Sequence, residues 1–277
     1  MTQIRKGHVC VMAVVALVGL SCASPQPAEP PPEAPPPQIP EPSPEPLPED
    51  AEEPEEEPPA VDEPEPALGS YGVSAGDGHA VDVGMQILQM GGNAVDAAVA
   101  TAFAVSVVEP FASGIGGGGA AVIALPGEDP VSIDYREVVA NDGVIPGSET
   151  GIPGFVSGMQ HLLDDHGTLT FAEVLPPSIE LAREGVPTSA TLETQLTNAA
   201  HRLPVGQLGH FFPGGSPLEP GELLVQEDLA QTLDALAAEG AATFTDGAVG
   251  AVLSANIDGI DEASLASYQV QASPPAR

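Results

Sequence analysis

The chain has 277 residues, a formal charge of −34 and only six lysines plus arginines. Such acidity excludes the basic face of a nucleic-acid binder and polybasic docking on an anionic membrane. The two cysteines, Cys10 and Cys22, both lie near the N-terminus. No disulfide framework or cysteine-based metal site is therefore expected in the rest of the chain.

Arg5 and Lys6 stand ahead of an apolar run from Val9 to Leu20. A positive segment followed by a run too short to span a bilayer reads as an export signal over residues 1–22. Ser21, Cys22 and Ala23 come next, a pattern like the bacterial lipobox, with Gly19 where that motif prefers leucine. On this reading Cys22 is acylated and becomes the new N-terminus. The protein is then exported to the periplasm or cell surface, and meets the membrane only through its lipid anchor. An ordinary signal peptide with an incidental cysteine is the alternative.

Residues 23–67 hold 18 of the 32 prolines and 14 of the 40 acidic residues, with no basic residue. Such a segment cannot bury enough apolar surface to offset its ordering entropy. It is expected to be a disordered, extended tether with a reach on the order of 130 Å. Residues 68–277 remain, enough for one substantial core. They carry four basic and 26 acidic side chains, a net charge of −22.

Within them, Val81, Gly84, Met85, Ile87 and Leu88 follow helical spacing, and Gly91–Gly92 supplies a stop. Asn93 is placed to N-cap the next helix, with Asp96 at its third position near the positive helix end. From there to Glu109 the segment is apolar nearly all round, which predicts a buried helix. Its length and Asp96 weigh against a membrane span.

Gly114–Gly119 then matches G-x-G-x-x-G, the spacing of a dinucleotide-binding turn. That site needs a strand before the turn and a helix after it, so that the pyrophosphate meets the helix N-terminus. Here a helix precedes the glycines, and "AAVIAL", a turn and the alternating strand "VSIDYRE" follow. The order is reversed, and no nucleotide cofactor is expected. Two uses remain for these glycines: tight turns with positive φ, and close approach of another backbone.

Arg136 is the next basic side chain after Lys6. Strand alternation puts Val131, Ile133 and Tyr135 on one face and Ser132, Asp134 and Arg136 on the other. Arg136 is either an ion-pair partner of Asp134, Glu137 or a distant carboxylate, or a planar fork for a substrate carboxylate.

Downstream, His161 and His166 flank Asp164 and Asp165. Their i,i+5 spacing puts the two rings on different helix faces, so they read as a solvated helix end rather than a metal site. Thr170 and Glu173 form a capping box, and "LPPS" at 175–178 ends one helix and begins the next.

"GGNAVDAAVATAFAVSVVEPFASGIGGGG" followed by "IDYRE" resembles the N-terminal half of the gamma-glutamyltranspeptidase family. The similarity continues through "GIPGFVSGMQHLLDDHGTLTFAEVLPPSIELAREGVP" and "PLEPGELLVQEDLAQTLDALAAEGAATFTDG" to "IDEASLASYQV", covering 70–271. The resemblance implies an α+β fold, the N-terminal part of an αββα N-terminal-nucleophile hydrolase sandwich that is incomplete without the C-terminal small subunit. It implies γ-glutamyl transfer or hydrolysis on glutathione and other γ-glutamyl amides, with no metal or other cofactor.

In that family the arginine of the D-[FY]-R-E strand binds the substrate α-carboxylate, and here it is Arg136. The precursor cuts itself, and the threonine so exposed attacks the γ-glutamyl amide. No segment of this chain resembles that cleavage site. Residues 68–277 are thus expected to be a large-subunit-like part without the nucleophile, awaiting a small-subunit partner. The other reading is a non-catalytic tethered protein that binds γ-glutamyl compounds or only a protein partner.

Mass spectrometry of the membrane fraction should find a diacylated or triacylated Cys22 at the N-terminus. A free terminus at another residue would rule out the anchor.

Overall fold

The computed structural model describes residues 71–275. The export signal, Cys22 and the tether lie outside the described residues.

Helix α1 (Gly78–Gln89) is capped by Asp77, whose carboxylate accepts from the His79 N–H. It ends where Gly91 turns to a φ of 99°. Helix α2 (Ala94–Val108) follows and is the centre of the fold, with 11 of its 15 residues buried. It packs against α1 so closely that a Cβ on Gly84 would overlap the Thr101 hydroxyl.

Strands β1 (Ala120–Ile123) and β2 (Val131–Asp134) form an antiparallel pair in which Ala121 faces Ile133. Then come α3 (Phe155–His166), the short α4 (Phe171–Val174) and α5 (Pro176–Glu184). Glu173 accepts from both the backbone N–H and the hydroxyl of Thr170, as the capping-box spacing predicts. Pro176 opens α5, where a missing N–H costs nothing.

Strand β3 (Val186–Pro187) leads to α6 (Ala190–Ala199) and pairs with β4 (Leu223–Leu224). The chain continues through α7 (Glu227–Glu239), α8 (Ala242–Thr245), α9 (Ala248–Asn256) and α10 (Glu262–Ser267). It returns to the first sheet as β5 (Gln271–Ser273), which lies antiparallel to β2 with Gln271 opposite Asp134. The sheet order is β1–β2–β5.

Helices cover one face of this sheet. Ile133 and Tyr135 are buried with the core, and Ala121 and Ile123 pack against it. Phe103 of α2 meets Phe155 and Phe171 edge-on, with ring centroids 5.1 and 5.4 Å away, so one aromatic ring joins α2, α3 and α4. On the other face Val122 is 66% exposed. Alternation in the strands accounts for both faces.

The Asn93–Asp96 cap does more than start α2. The Asn93 side chain accepts from the N–H of Val95 and of Asp96, while its amide donates to the His166 carbonyl at 2.7 Å and closes the end of α3. Asp96 is fully buried and accepts from the Asn93 N–H, the Thr168 N–H and hydroxyl, and the Leu169 N–H, at 2.6–3.1 Å. Burial alone would raise its pKa, but these hydrogen bonds outweigh it and hold the carboxyl below its ordinary value.

Replacing Asp96 with Ala would strand several buried donors. It should cost on the order of 3 kcal/mol at neutral pH, measured by urea unfolding. Because the folded-state pKa is lowered, the contribution is present above the ordinary aspartate value of 3.8 and is lost as pH falls through the lower folded value. The stability gap between wild type and Asp96→Ala should therefore narrow only in that acid range.

Candidate functional site

The glycine run lies between the end of α2 and the start of β1. Gly119 and Tyr135 exchange backbone hydrogen bonds at 2.9 and 3.3 Å, which extends the β1–β2 ladder by one residue at the glycine end. The Gly117 carbonyl accepts from Gly154 and Phe155 at 3.0 and 2.9 Å, satisfying free N–H groups at the start of α3. The glycines thus join the sheet to a helix N-terminus.

None of Gly114–Gly119 is among the positive-φ residues, so of the two uses open to them close approach is the operative one. A Cβ on Gly118 would sit 2.6 Å from the Tyr135 carbonyl oxygen and 2.8 Å from Arg136 Cα. The chain here lies directly on the backbone of the segment that carries Arg136.

Arg136 lies two residues beyond the end of β2, and its side chain is 70% exposed. Its Nε and Nη2 donate to the two carboxylate oxygens of Asp134 at 3.1 and 2.5 Å. Asp134 Oδ1 also accepts the Arg136 backbone N–H at 3.0 Å. These bonds, with the guanidinium charge, hold the Asp134 carboxyl down at about 2 and push the arginine pKa up.

The ion pair offered by the strand alternation is therefore formed. It occupies only the Nε–Nη2 edge of the guanidinium. The Nη1–Nη2 edge is left on an exposed side chain, and that edge can take a second carboxylate in the same bidentate way.

On the far side of Arg136 stands Tyr268, which follows α10. Its hydroxyl donates to the Arg136 carbonyl at 2.8 Å. Burial, reinforced by the carboxylates of Asp134 and Glu137, pushes the phenol up to about 12, so it remains a donor at ordinary pH. Gly154 makes room for it, because a Cβ there would overlap the Tyr268 hydroxyl and the Tyr135 carbonyl.

A family model described as gamma-glutamyltranspeptidase matches residues 80–277. The chain belongs to the gamma-glutamyltranspeptidase family. The capsule biosynthesis protein CapD proenzyme of Bacillus anthracis is 39% identical over 209 residues, covering 76% of this chain and 39% of that protein. The glutathione hydrolase proenzyme of Bacillus subtilis is 32% identical, covering 71% of this chain and 38% of that protein. The chain thus spans about two-fifths of the length of these curated relatives.

Among solved structures, the gamma-glutamyltranspeptidase of Helicobacter pylori superposes with a TM-score of 0.69 at 32% identity, covering 73% of this chain and 65% of that one. The helix-covered sheet is accordingly a partial version of the family's αββα N-terminal-nucleophile hydrolase fold. In that architecture a second sheet packs on the first, and the open face carrying Val122 is the one available for it.

His161 and His166 have different partners. His161 turns to Asp165 of its own helix at 3.5 Å, and His166 sits in the last turn, its carbonyl taken by Asn93. Asp164 accepts from Gln160. Tyr268 and Gly154 lie in stretches that resemble the family, but nothing in the sequence singled either out. The tyrosine is 132 positions from Arg136, and no spacing rule joins them.

Gly118→Ala would set a methyl against backbone that cannot yield. It should destabilise the fold by about 1–3 kcal/mol, read from thermal or urea melts. A variant as stable as wild type would show that the close approach is not required.

Proposed function

We propose that this chain is the large-subunit-like part of an enzyme that transfers or hydrolyses γ-glutamyl groups, and that Arg136 binds the substrate α-carboxylate. Family membership supports the reaction class. The single observation that carries the site is the Nη1–Nη2 edge on an exposed side chain, held in plane by Asp134 on the adjacent Nε–Nη2 edge.

On this reading a small-subunit partner, packed on the open sheet face, brings the nucleophilic threonine. Its hydroxyl oxygen attacks the γ-carbonyl carbon and the amine leaves with a proton. Water or an amino acid then takes the acyl group. This chain's contribution is to hold the glutamyl end while those bonds change, an orienting role rather than a bond-making one. Export and anchoring through Cys22 would place the reaction outside the cytoplasm.

The Asp134 ion pair also favours a second reading, in which Arg136 only fastens the end of β2 and the chain is a non-catalytic tethered protein. The two part on one substitution. If Arg136 binds the carboxylate, Arg136→Ala should weaken glutathione binding about 10- to 150-fold, measured by titration calorimetry. Arg136→Lys should recover only part of this, because an ammonium cannot reproduce the planar fork. A lowered melting temperature with unchanged affinity would overturn the carboxylate-binding role.

A further inference from the structure

Tyr135 uses both its N–H and its carbonyl on Gly119, toward β1. Alternation of the antiparallel ladder turns the backbone groups of Arg136 the other way, toward the β5 edge. Strand β5 does not reach that far, since its pairing with β2 ends at Asp134 opposite Gln271. The missing rung is replaced by side chains: the Asp134 carboxylate takes the Arg136 N–H, and the Tyr268 hydroxyl takes the Arg136 carbonyl.

Tyr268 is itself held in place. Helix α10 before it is capped by Asp261, which accepts the Ser264 N–H at 2.8 Å. That helix is tied to the loop beyond Arg136, because Asn141 donates to the Ser264 and Ser267 hydroxyls at 2.9 Å each. Steric contact from Gly118 bounds Arg136 on one side, and Tyr268 closes the other.

We infer that Tyr268 is a positioning residue for Arg136, fixing the peptide from which the guanidinium fork springs and so setting where a ligand carboxylate is received. This rests on the carboxylate-binding reading of Arg136 given above. Tyr268 is half-buried, but Arg136 is exposed, so water can reach the carbonyl and replace the lost hydroxyl. Its loss should therefore loosen the fork without unfolding the protein.

The test is Tyr268→Phe in the full chain, which removes the hydroxyl and keeps the ring. Melting should stay near wild type. Two readouts that a merely structural residue would not move are then followed. The first is hydrogen exchange of the Arg136 Nε–H by NMR, which the chain's five arginines make easy to resolve. It should become several-fold faster as the clasp to Asp134 loosens.

The second is glutathione affinity, which should fall about 3- to 10-fold. In an Arg136→Ala background the same change should have no further effect, because Tyr268 acts only through the arginine. Unchanged Nε–H exchange would overturn the inference, and so would affinity losses that add in the double variant. If Arg136→Ala leaves affinity untouched, the carboxylate reading fails. The Nε–H exchange then still decides whether Tyr268 positions the arginine.

Discussion

The fold depends on one buried carboxylate. Among the described residues Asp96 has no ion-pair partner, and it is stabilised by the donors of two chain segments more than 70 residues apart. Buried anions survive when their lone pairs are filled, and here they are filled by N–H groups that would otherwise be orphaned at a helix start and a turn. The same residue thus begins α2 and fixes the turn between α3 and α4. With those helices set, Phe103 has its two aromatic neighbours, and the helical layer presents a surface for the sheet to lie on.

From that layer the site is assembled by steric fit more than by attraction. Helix α3 begins by binding the Gly117 carbonyl, and Gly118 lies against the backbone of residues 135–137. Side chains would hold these segments apart. Bare glycine backbone lets a helix start, a connecting strand and the end of β2 converge within van der Waals distance of Arg136. At Gly117, Gly118 and Gly119 close packing accounts for the absence of side chains.

Much of this was legible in the sequence because it is local. The Asn93–Asp96 cap and the Thr170–Glu173 box each follow from residues three positions apart, and the apolar α2 and the order of helix, glycines and strands follow from continuous stretches of chain. The second task of Asp96 was not legible, since Thr168 and Leu169 are 72 and 73 positions away. Strand β5 was silent as well: Gln271–Ser273 is short and exposed throughout, so no buried alternation marks it. For Arg136, alternation put Asp134 on the correct face, but it could not say which edge of the guanidinium that carboxylate would take.

That edge has a consequence for how tightly anything is held. The Arg136 hydrogen bonds hold the Asp134 carboxyl down at about 2, so at neutral pH the arginine and its partner together carry almost no net charge. If Arg136 receives a carboxylate, as proposed, that ligand would meet a shaped dipole instead of a bare cation, inside a domain with a net charge of −22. Such a receptor selects by direction of approach and lets go readily. On the γ-glutamyl reading proposed above, that weakness would let the glutamyl product leave after each turnover.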